Sequence, residues 1–400
     1  MKKRKKIVWY SLIILVTCLT FGMNVEAQTI EEVEIGKDTV SEEDVMQYGV
    51  NLFDWDSIEA LQNELSSAMP EDVSFDLKTA MEKMIKGEAK FSVNTIIEYI
   101  LKLLFNEISV FIQLGARFVL IVLLCNLLQT LSSSFKSKNT SKVAFFVCYM
   151  TILLSVVQSF RVMIELAITV IDQMTRLMLV CIPMLLAFMA TSGFNITAGS
   201  MAPVIVSALN LMTYLIKVIV LPCTISVVVL EIVSSMSEEF KVNKLVGTFY
   251  KWIKWGLRTI LGASVGLLGL YRLIMPGVDT TLKQATVKFS SAFIPVVGNA
   301  VGGTIDFIAK CSSLIKNGFA AGVMIWILIL ISIPLIKIFV YACVYQVAGA
   351  VIEPLGDKKM AAIATKLAKG CQFIMSSVGI IALFCICALV ICMSITSNGV

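Results

Sequence analysis

The sequence contains no histidine. This absence excludes serine–histidine and cysteine–histidine nucleophile pairs, and every zinc site that uses an imidazole ligand. The eleven cysteines form no C-x-x-C motif, and most of them lie singly in apolar runs, where cysteine behaves as a small hydrophobic residue. The P-loop and H-E-x-x-H motifs are also missing from the chain. We therefore expect no enzymatic activity, no cofactor and no metal site.

Charged residues are scarce and unevenly distributed. They make up 15% of the chain, against 58% hydrophobic residues and a mean hydropathy of +0.87. Residues 28–100 hold 17 acidic and 5 basic residues, whereas residues 101–400 hold 10 acidic and 23 basic residues. This composition predicts an all-α polytopic membrane protein, with a small acidic region at 28–100 and a multi-spanning domain at 101–400. The expected partners are membrane lipid and other proteins, and not nucleic acid.

The first 27 residues have the features of a signal peptide. A basic run is followed by a short apolar core, and Val25 and Ala27 occupy the positions of a cleavage site before Gln28. The alternative is an uncleaved N-terminal anchor. Either interpretation places residues 28–100 outside the cytoplasm, as a helical region with too little core to stand alone.

Apolar runs predict about eight membrane spans. They lie at 109–131, 143–168, 177–191, 199–216, 218–236, 257–275, 319–345 and 373–395. Pro183, Pro203 and Pro222 interrupt the middle group. An exported N-terminus makes three basic segments cytoplasmic, at 132–142, 237–256 and 351–372. With Arg258 at the edge of the second, they carry twelve lysines and arginines. The signal and the positive-inside rule therefore predict the same orientation.

Two of these basic segments resemble each other. Three lysines of the second segment match three of the third at a shift of 115 residues: Lys244, Lys251 and Lys254 against Lys359, Lys366 and Lys369. Internal repeats are typical of transporters. Short matches in apolar sequence also arise by chance, so both interpretations stay open.

Three pairs of opposite charge lie at or near membrane depth, with the partners four positions apart in the chain. They are Arg161 with Glu165, Asp172 with Arg176, and Asp306 with Lys310. Residues spaced in this way share one helix face and can neutralise each other. The pairs either line a polar path or act as structural ion pairs between helices. Lone charges such as Lys217 and Glu231 lie nearer the predicted span ends, where a lysine can extend towards water.

The stretch around Asp306 has the composition of a broken helix. Pro295, Gly298, Gly302 and Gly303 precede the aspartate. Glycine and proline loosen a helix, and transporters line permeation sites with helices interrupted in this way. We expect the glycines to end one element and a short amphipathic helix to follow. Its polar face would meet a wet cavity or the open surface.

Two stretches carry a resemblance to a known family. "KFSSAFIPVVGNAVGGTIDFIAKCSSLIKNG" at Lys288–Gly318 is followed by "AVIEPLGDKK" at Ala350–Lys359. Both resemble the stage III sporulation protein AE family of endospore-forming bacteria. The F-I-P-V-V-G core with a downstream Asp, Cys and L-I-K-N is the specific part. The length, the signal and the acidic outer segment agree with the resemblance.

The resemblance implies a multi-pass protein of the mother-cell membrane that surrounds the forespore, with an extracytoplasmic mature N-terminus. It implies a permease-like or gate-like subunit of the sporulation channel, or feeding-tube, complex. Its partners would be other stage III sporulation membrane proteins of that complex and a forespore partner. The family supplies no catalytic residues to carry over. The alternatives are a non-conducting scaffold for partner proteins and a stand-alone secondary transporter.

Overall fold

The computed structural model describes residues 138–236, 243–293, 297–355 and 358–397, and scattered positions between 59 and 127. The predicted signal at 1–27 and nearly all of the acidic region at 28–100 lie outside the described residues. Within the described ranges the chain is helical apart from a turn at 192–194, and no strand occurs there. The predicted all-α class is confirmed.

The described chain forms six α-helices. They are α1 (Lys138–Thr191), α2 (Asn195–Leu215), α3 (Leu221–Met236), α4 (Asn243–Phe293), α5 (Val297–Ile352) and α6 (Lys358–Ser397). A π-helix at Ile216–Val220 joins α2 to α3 without a break, and a 3₁₀ turn at Glu353–Leu355 follows α5.

Five stretches of these helices are long and apolar enough to cross a membrane. They are Leu154–Thr191, Asn195–Ser234, Lys244–Thr281, Ala309–Ile352 and Ala361–Ile395. The expectation of about eight spans is not confirmed. The predicted spans 143–168 and 177–191 both lie in α1, and those at 199–216 and 218–236 both lie in the continuous helix from α2 to α3. The predicted span at 109–131 lies largely outside the described residues.

The prolines do not interrupt the helices as expected. Pro183 lies inside α1 and Pro203 inside α2. Pro222 is the second residue of α3, directly after the π-helix. A proline removes one backbone donor and crowds the carbonyl four residues earlier, and local π geometry is one way in which membrane helices accommodate this. A proline inside an apolar run therefore need not end the helix.

The turn between α1 and α2 has a specific sequence cause. Gly193 has a φ of 95°, a left-handed conformation that glycine adopts at little cost. The Ser192 N–H donates to the Phe188 carbonyl at 3.1 Å, and the Phe194 N–H donates to the Met189 carbonyl at 3.2 Å. These bonds satisfy carbonyls that the end of α1 would leave free.

The helices differ greatly in how deeply they are buried. In α6, 61% of the most apolar stretch is buried, and this helix packs against α1, α3, α4 and α5. Gly370 permits one close approach, because a Cβ there would lie 2.5 Å from Val228 and 2.8 Å from Phe160. In α4, by contrast, only 6% of the most apolar stretch is buried. The helix α6 is therefore central, and α4 lies on the outside of the bundle.

Candidate functional site

Helix α1 carries a row of polar residues along one side. They are Gln158, Arg161, Glu165, Thr169, Asp172 and Arg176, and we call them the polar stripe. Their spacing of three or four residues keeps them on one helix face. The stripe is about 27 Å long at 1.5 Å per residue, close to the roughly 30 Å thickness of a bilayer core. It lies inside the candidate span Leu154–Thr191. Two predicted pairs thus belong to one continuous feature.

The polar stripe faces away from the core. The opposite side of α1 is fully buried, as Met163, Ile171 and Met174 are 0% exposed. The side chains of Arg161 and Glu165 are 78% and 60% exposed. Their ion pair joins Nε and Oε1 at 2.8 Å along the same helix. Charges at membrane depth are costly when they face lipid, so the stripe requires water or another protein beside it.

Asp172 and Lys217 form an ion pair between α1 and the π-helix. The Lys217 Nζ lies 2.6 Å from Oδ1 and 2.8 Å from Oδ2 of Asp172. Both side chains are partly exposed, at 29% for the lysine and 35% for the aspartate. Asp172 lies halfway along the span Leu154–Thr191, and Lys217 lies near the middle of Asn195–Ser234. The pair therefore lies deep within the predicted membrane region.

This geometry corrects two expectations. Asp172 was expected in a loop between two spans, and Lys217 was expected near a span end. The merging of the neighbouring spans places both residues mid-helix instead. The sequence also paired Asp172 with Arg176 on the same helix. The structure shows a lysine partner for Asp172 on a different helix. The pairing of Asp172 with Arg176 stays a prediction.

A buried hydroxyl pair lies one turn from this ion pair. The Thr175 and Thr213 hydroxyls are 3.0 Å apart, and the Thr175 hydroxyl also reaches the Ile171 carbonyl at 2.8 Å. These contacts join α1 to α2 immediately before the π-helix begins at Ile216. Local π geometry occurs often at functional sites. The threonines thus help to fix the position of Lys217.

Asp279 joins α4 to the start of α2. Its carboxylate accepts the backbone N–H of Ile196 at 3.0 Å and of Thr197 at 2.8 Å, and it also accepts the Thr197 hydroxyl. A carboxylate at a helix N-terminus satisfies free donors and interacts favourably with the helix dipole. Asp279 is not among the residues that the sequence patterns indicate. No local pattern could have found it, because its partners lie more than eighty residues away.

Glu231 anchors the other end of α4. It accepts a hydrogen bond from the Tyr250 hydroxyl at 2.7 Å, and the Lys366 Nζ lies 3.6 Å from its second oxygen. The Lys369 Nζ lies 3.8 Å from the centre of the Tyr250 ring. The sequence analysis treated Glu231 as a lone charge. The structure shows a three-helix cluster that brings together the ends of α3, α4 and α6.

Lys316 is an internal lysine that the sequence analysis also missed. Its side chain is 0% exposed, and its Nζ donates to the carbonyl of Cys392 at 2.6 Å and of Met393 at 3.4 Å. Both carbonyls lie in the last two turns of α6, at the negative end of the helix dipole. In the sequence Lys316 directly follows Ile315, which is buried in the structure as Cys311 is.

The expected break near Asp306 is not where the sequence placed it. Gly298, Gly302 and Gly303 lie inside α5, which runs without interruption from Val297. Pro295 falls between α4 and α5, outside the described residues. Helix α5 is long enough that three glycines do not end it. Lys310 has an exposed side chain, whereas the Asp306 side chain is outside the described set, so their ion pair stays a prediction.

Comparison with known proteins gives one consistent result. The family model for stage III sporulation protein AE matches residues 75–396. A similar protein is the stage III sporulation protein AE of Bacillus subtilis (strain 168). The two are 29% identical over 324 residues, which cover 81% of this chain and 80% of the relative. No solved structure matches. Among the described residues, no group of three or more cysteine, aspartate or glutamate side chains is placed to hold a metal ion.

Proposed function

Because the chain belongs to the stage III sporulation protein AE family, we propose that it is a membrane subunit of a sporulation channel complex. In this proposal it lies in the mother-cell membrane around the forespore, with its mature N-terminus outside the cytoplasm. It acts there with other stage III sporulation membrane proteins and a forespore partner. It has a permease-like or gate-like role and no catalytic one.

The observation that supports this role is the polar stripe with its ion pair between Asp172 and Lys217. The stripe is nearly as long as a bilayer core is thick, and it is exposed on the single chain. Charged side chains are costly to place against lipid. A water-filled path built from several chains would solvate it. We therefore place the path beside α1, between this subunit and its neighbours.

The ion pair gives the path a point of control. Asp172 and Lys217 neutralise each other across α1 and the π-helix. Each remains about one-third exposed, so both stay accessible to a solute that moves along the stripe. An ion pair between helices can open and close as the helices move, and a π-helix is a natural place for such a movement. This arrangement favours a gating role for the ion pair over a purely structural one.

The test compares the loss of one charge with the loss of both. Asp172→Ala leaves Lys217 unpaired, and a buried unpaired charge costs roughly 3–5 kcal/mol. We expect a loss at the lower end of that range, because the pair is partly exposed, and therefore less accumulated protein. Asp172→Ala with Lys217→Met removes both charges and should restore protein level and complex assembly. Spore yield should stay low because the path has lost its charges. The control is Arg272→Gln, which removes an exposed cation on α4 and should sporulate normally.

The outcome also separates the alternatives. Normal spore yield from the assembled double variant contradicts the path and favours a scaffold that only holds partners together. A stand-alone secondary transporter would work without companion proteins. Transport by the purified chain in vesicles that contain no other subunit would support that alternative against a multi-subunit path.

A further inference from the structure

We propose that the first four turns of α4 form a binding surface for anionic phospholipid headgroups. This segment, residues 243–258, has three distinct sides. One side packs on the bundle through Val246, Tyr250, Ile253 and Leu257, which are all buried. The other two sides face outwards and differ in chemistry. One is cationic and the other is apolar and aromatic.

The cationic side consists of Lys244, Lys251, Lys254 and Arg258. We call these residues the cationic face. Their spacing of three, four or seven residues places them on one side of the helix. None of the four makes an ion pair with another residue that the structure describes. Four cations next to an apolar helix form a pattern that attracts anionic lipid headgroups.

The aromatic side consists of Leu245, Phe249, Trp252 and Trp255. Trp252 and Trp255 are 66% and 70% exposed. Tryptophan is enriched at membrane–water interfaces, where its ring contacts acyl chains and its N–H contacts headgroups. The same helix continues with exposed Leu267, Leu270 and Leu273, which suit the acyl region. An acidic protein would also match the cations. It would not account for the aromatic side of this segment or for the exposed leucines that follow it.

The repeated basic segment of α6 provides an internal contrast. Its Lys366 lies against Glu231, and its Lys369 lies over the Tyr250 ring. The matching cations of α4, Lys251 and Lys254, have no such internal role in the described structure. The packing of the bundle therefore does not need the charge of α4. This difference supports an external anionic ligand for α4 alone.

The experiment reconstitutes the full chain in bilayers that contain either dibrominated phosphatidylglycerol or dibrominated phosphatidylcholine. Bromine quenches nearby tryptophan fluorescence. The signal of Trp252 and Trp255 is isolated by subtracting that of a Trp252→Phe, Trp255→Phe variant. We expect stronger quenching by phosphatidylglycerol, with a relative association constant at least about five-fold higher, since one cation near an anionic surface contributes about that factor. High salt should reduce the preference.

Matched variants show whether the cationic face causes the preference. Lys251→Gln with Arg258→Gln should lower it by about five-fold or more. Arg272→Gln removes an exposed cation further along α4 and should leave it unchanged. Lys251→Arg with Arg258→Lys keeps both charges and should retain it, which separates charge from folding. Equal quenching by the two lipids in the wild type would overturn the proposal and leave the face to an acidic protein. An equal loss in both glutamine variants would overturn it too.

Discussion

Helices α1 and α4 both expose a long side on the single chain, but the exposed chemistry is opposite. The exposed side of α1 includes the polar stripe, and the opposite side of that helix packs into the core. Beyond the cationic face, the exposed side of α4 is mainly apolar, and it includes Leu267, Leu270 and Leu273. In water both surfaces would be merely exposed. In a membrane they require different neighbours, which are water or protein for α1 and lipid for α4.

The two helices are also attached differently. Helix α1 contacts α2, α3, α5 and α6 along its length. Helix α4 has polar attachments at two points, Tyr250 with Glu231 near its start and Asp279 with the N-terminus of α2 further along. Between these points little of α4 is buried. The comparison indicates a fixed core that carries the polar stripe, and an outer helix that faces lipid.

The prediction with the largest expected effect places the same charge on both helices, to test whether their exposed sides have different surroundings. Leu267→Lys puts a lysine on the exposed side of α4 near the middle of its span, where insertion costs roughly 3 kcal/mol. We expect poor membrane insertion and little accumulated protein. Thr169→Lys adds the same charge to the polar stripe and should accumulate nearly as well as wild type. Equal accumulation of both variants would show that α4 does not face lipid.

A second prediction concerns packing at the centre of the bundle. Gly370→Ala places a Cβ 2.5 Å from Val228 and 2.8 Å from Phe160. Overpacking of this kind costs about 1–3 kcal/mol, so the detergent-solubilised protein should unfold at a lower temperature. Gly379→Ala is the control on the same helix, because nothing lies within 4 Å of its added Cβ. If Gly370→Ala is as stable as Gly379→Ala, the helices are not packed this closely.

A third prediction tests the outer attachment of α4. Asp279→Ala removes the carboxylate that accepts the N–H groups of Ile196 and Thr197. Loss of an N-terminal cap costs about 1–2 kcal/mol. Hydrogen exchange should rise in the first turn of α2 more than in α6. Asp279→Asn keeps one acceptor and should have a smaller effect. Unchanged exchange in α2 would mean that the contact does not hold α4.

The prediction with the smallest expected effect also tests whether α4 faces lipid. Nothing lies within 4 Å of a Cβ added at Gly266. Gly266→Ala should therefore be neutral, or stabilise the helix by up to about 1 kcal/mol, because alanine has the higher helix propensity. Thermal unfolding of the solubilised protein measures this. A clear loss of assembly, with the stability of the chain unchanged, would reveal a neighbouring helix at this position.

The sequence predicted the helical class and the membrane domain well, because apolar composition determines both. It also identified Arg161, Glu165, Asp172 and Arg176 as candidates. Their union into one stripe was not predictable while residues 169–176 were taken as the gap between two spans, at 143–168 and 177–191. In the continuous helix α1 the spacing of three and four residues runs through that gap. Charged side chains on one face are compatible with a membrane helix where that face meets water or protein, and apolar runs alone do not show this.

The contacts between helices that are far apart in the chain could not be predicted from the sequence. Lys217 with Asp172, Asp279 with Thr197, and Lys316 with the end of α6 each join residues that are far apart in the chain. Periodicity shows which side of a helix is polar, and it does not show which helix lies opposite. The charged residue was visible in each case, but its partner was not.

The most direct test of the polar path is the water accessibility of α1 in the assembled complex. A single cysteine is introduced in a cysteine-free chain, at Thr169 on the polar stripe or at Leu267 on α4, and membranes of sporulating cells are treated with a hydrophilic thiol reagent. Both positions are exposed on the single chain, and both lie near the middle of a candidate span. We predict labelling at 169 and none at 267. Failure to label 169 in an assembled, active complex would contradict the path and leave the stripe as a dry contact between proteins.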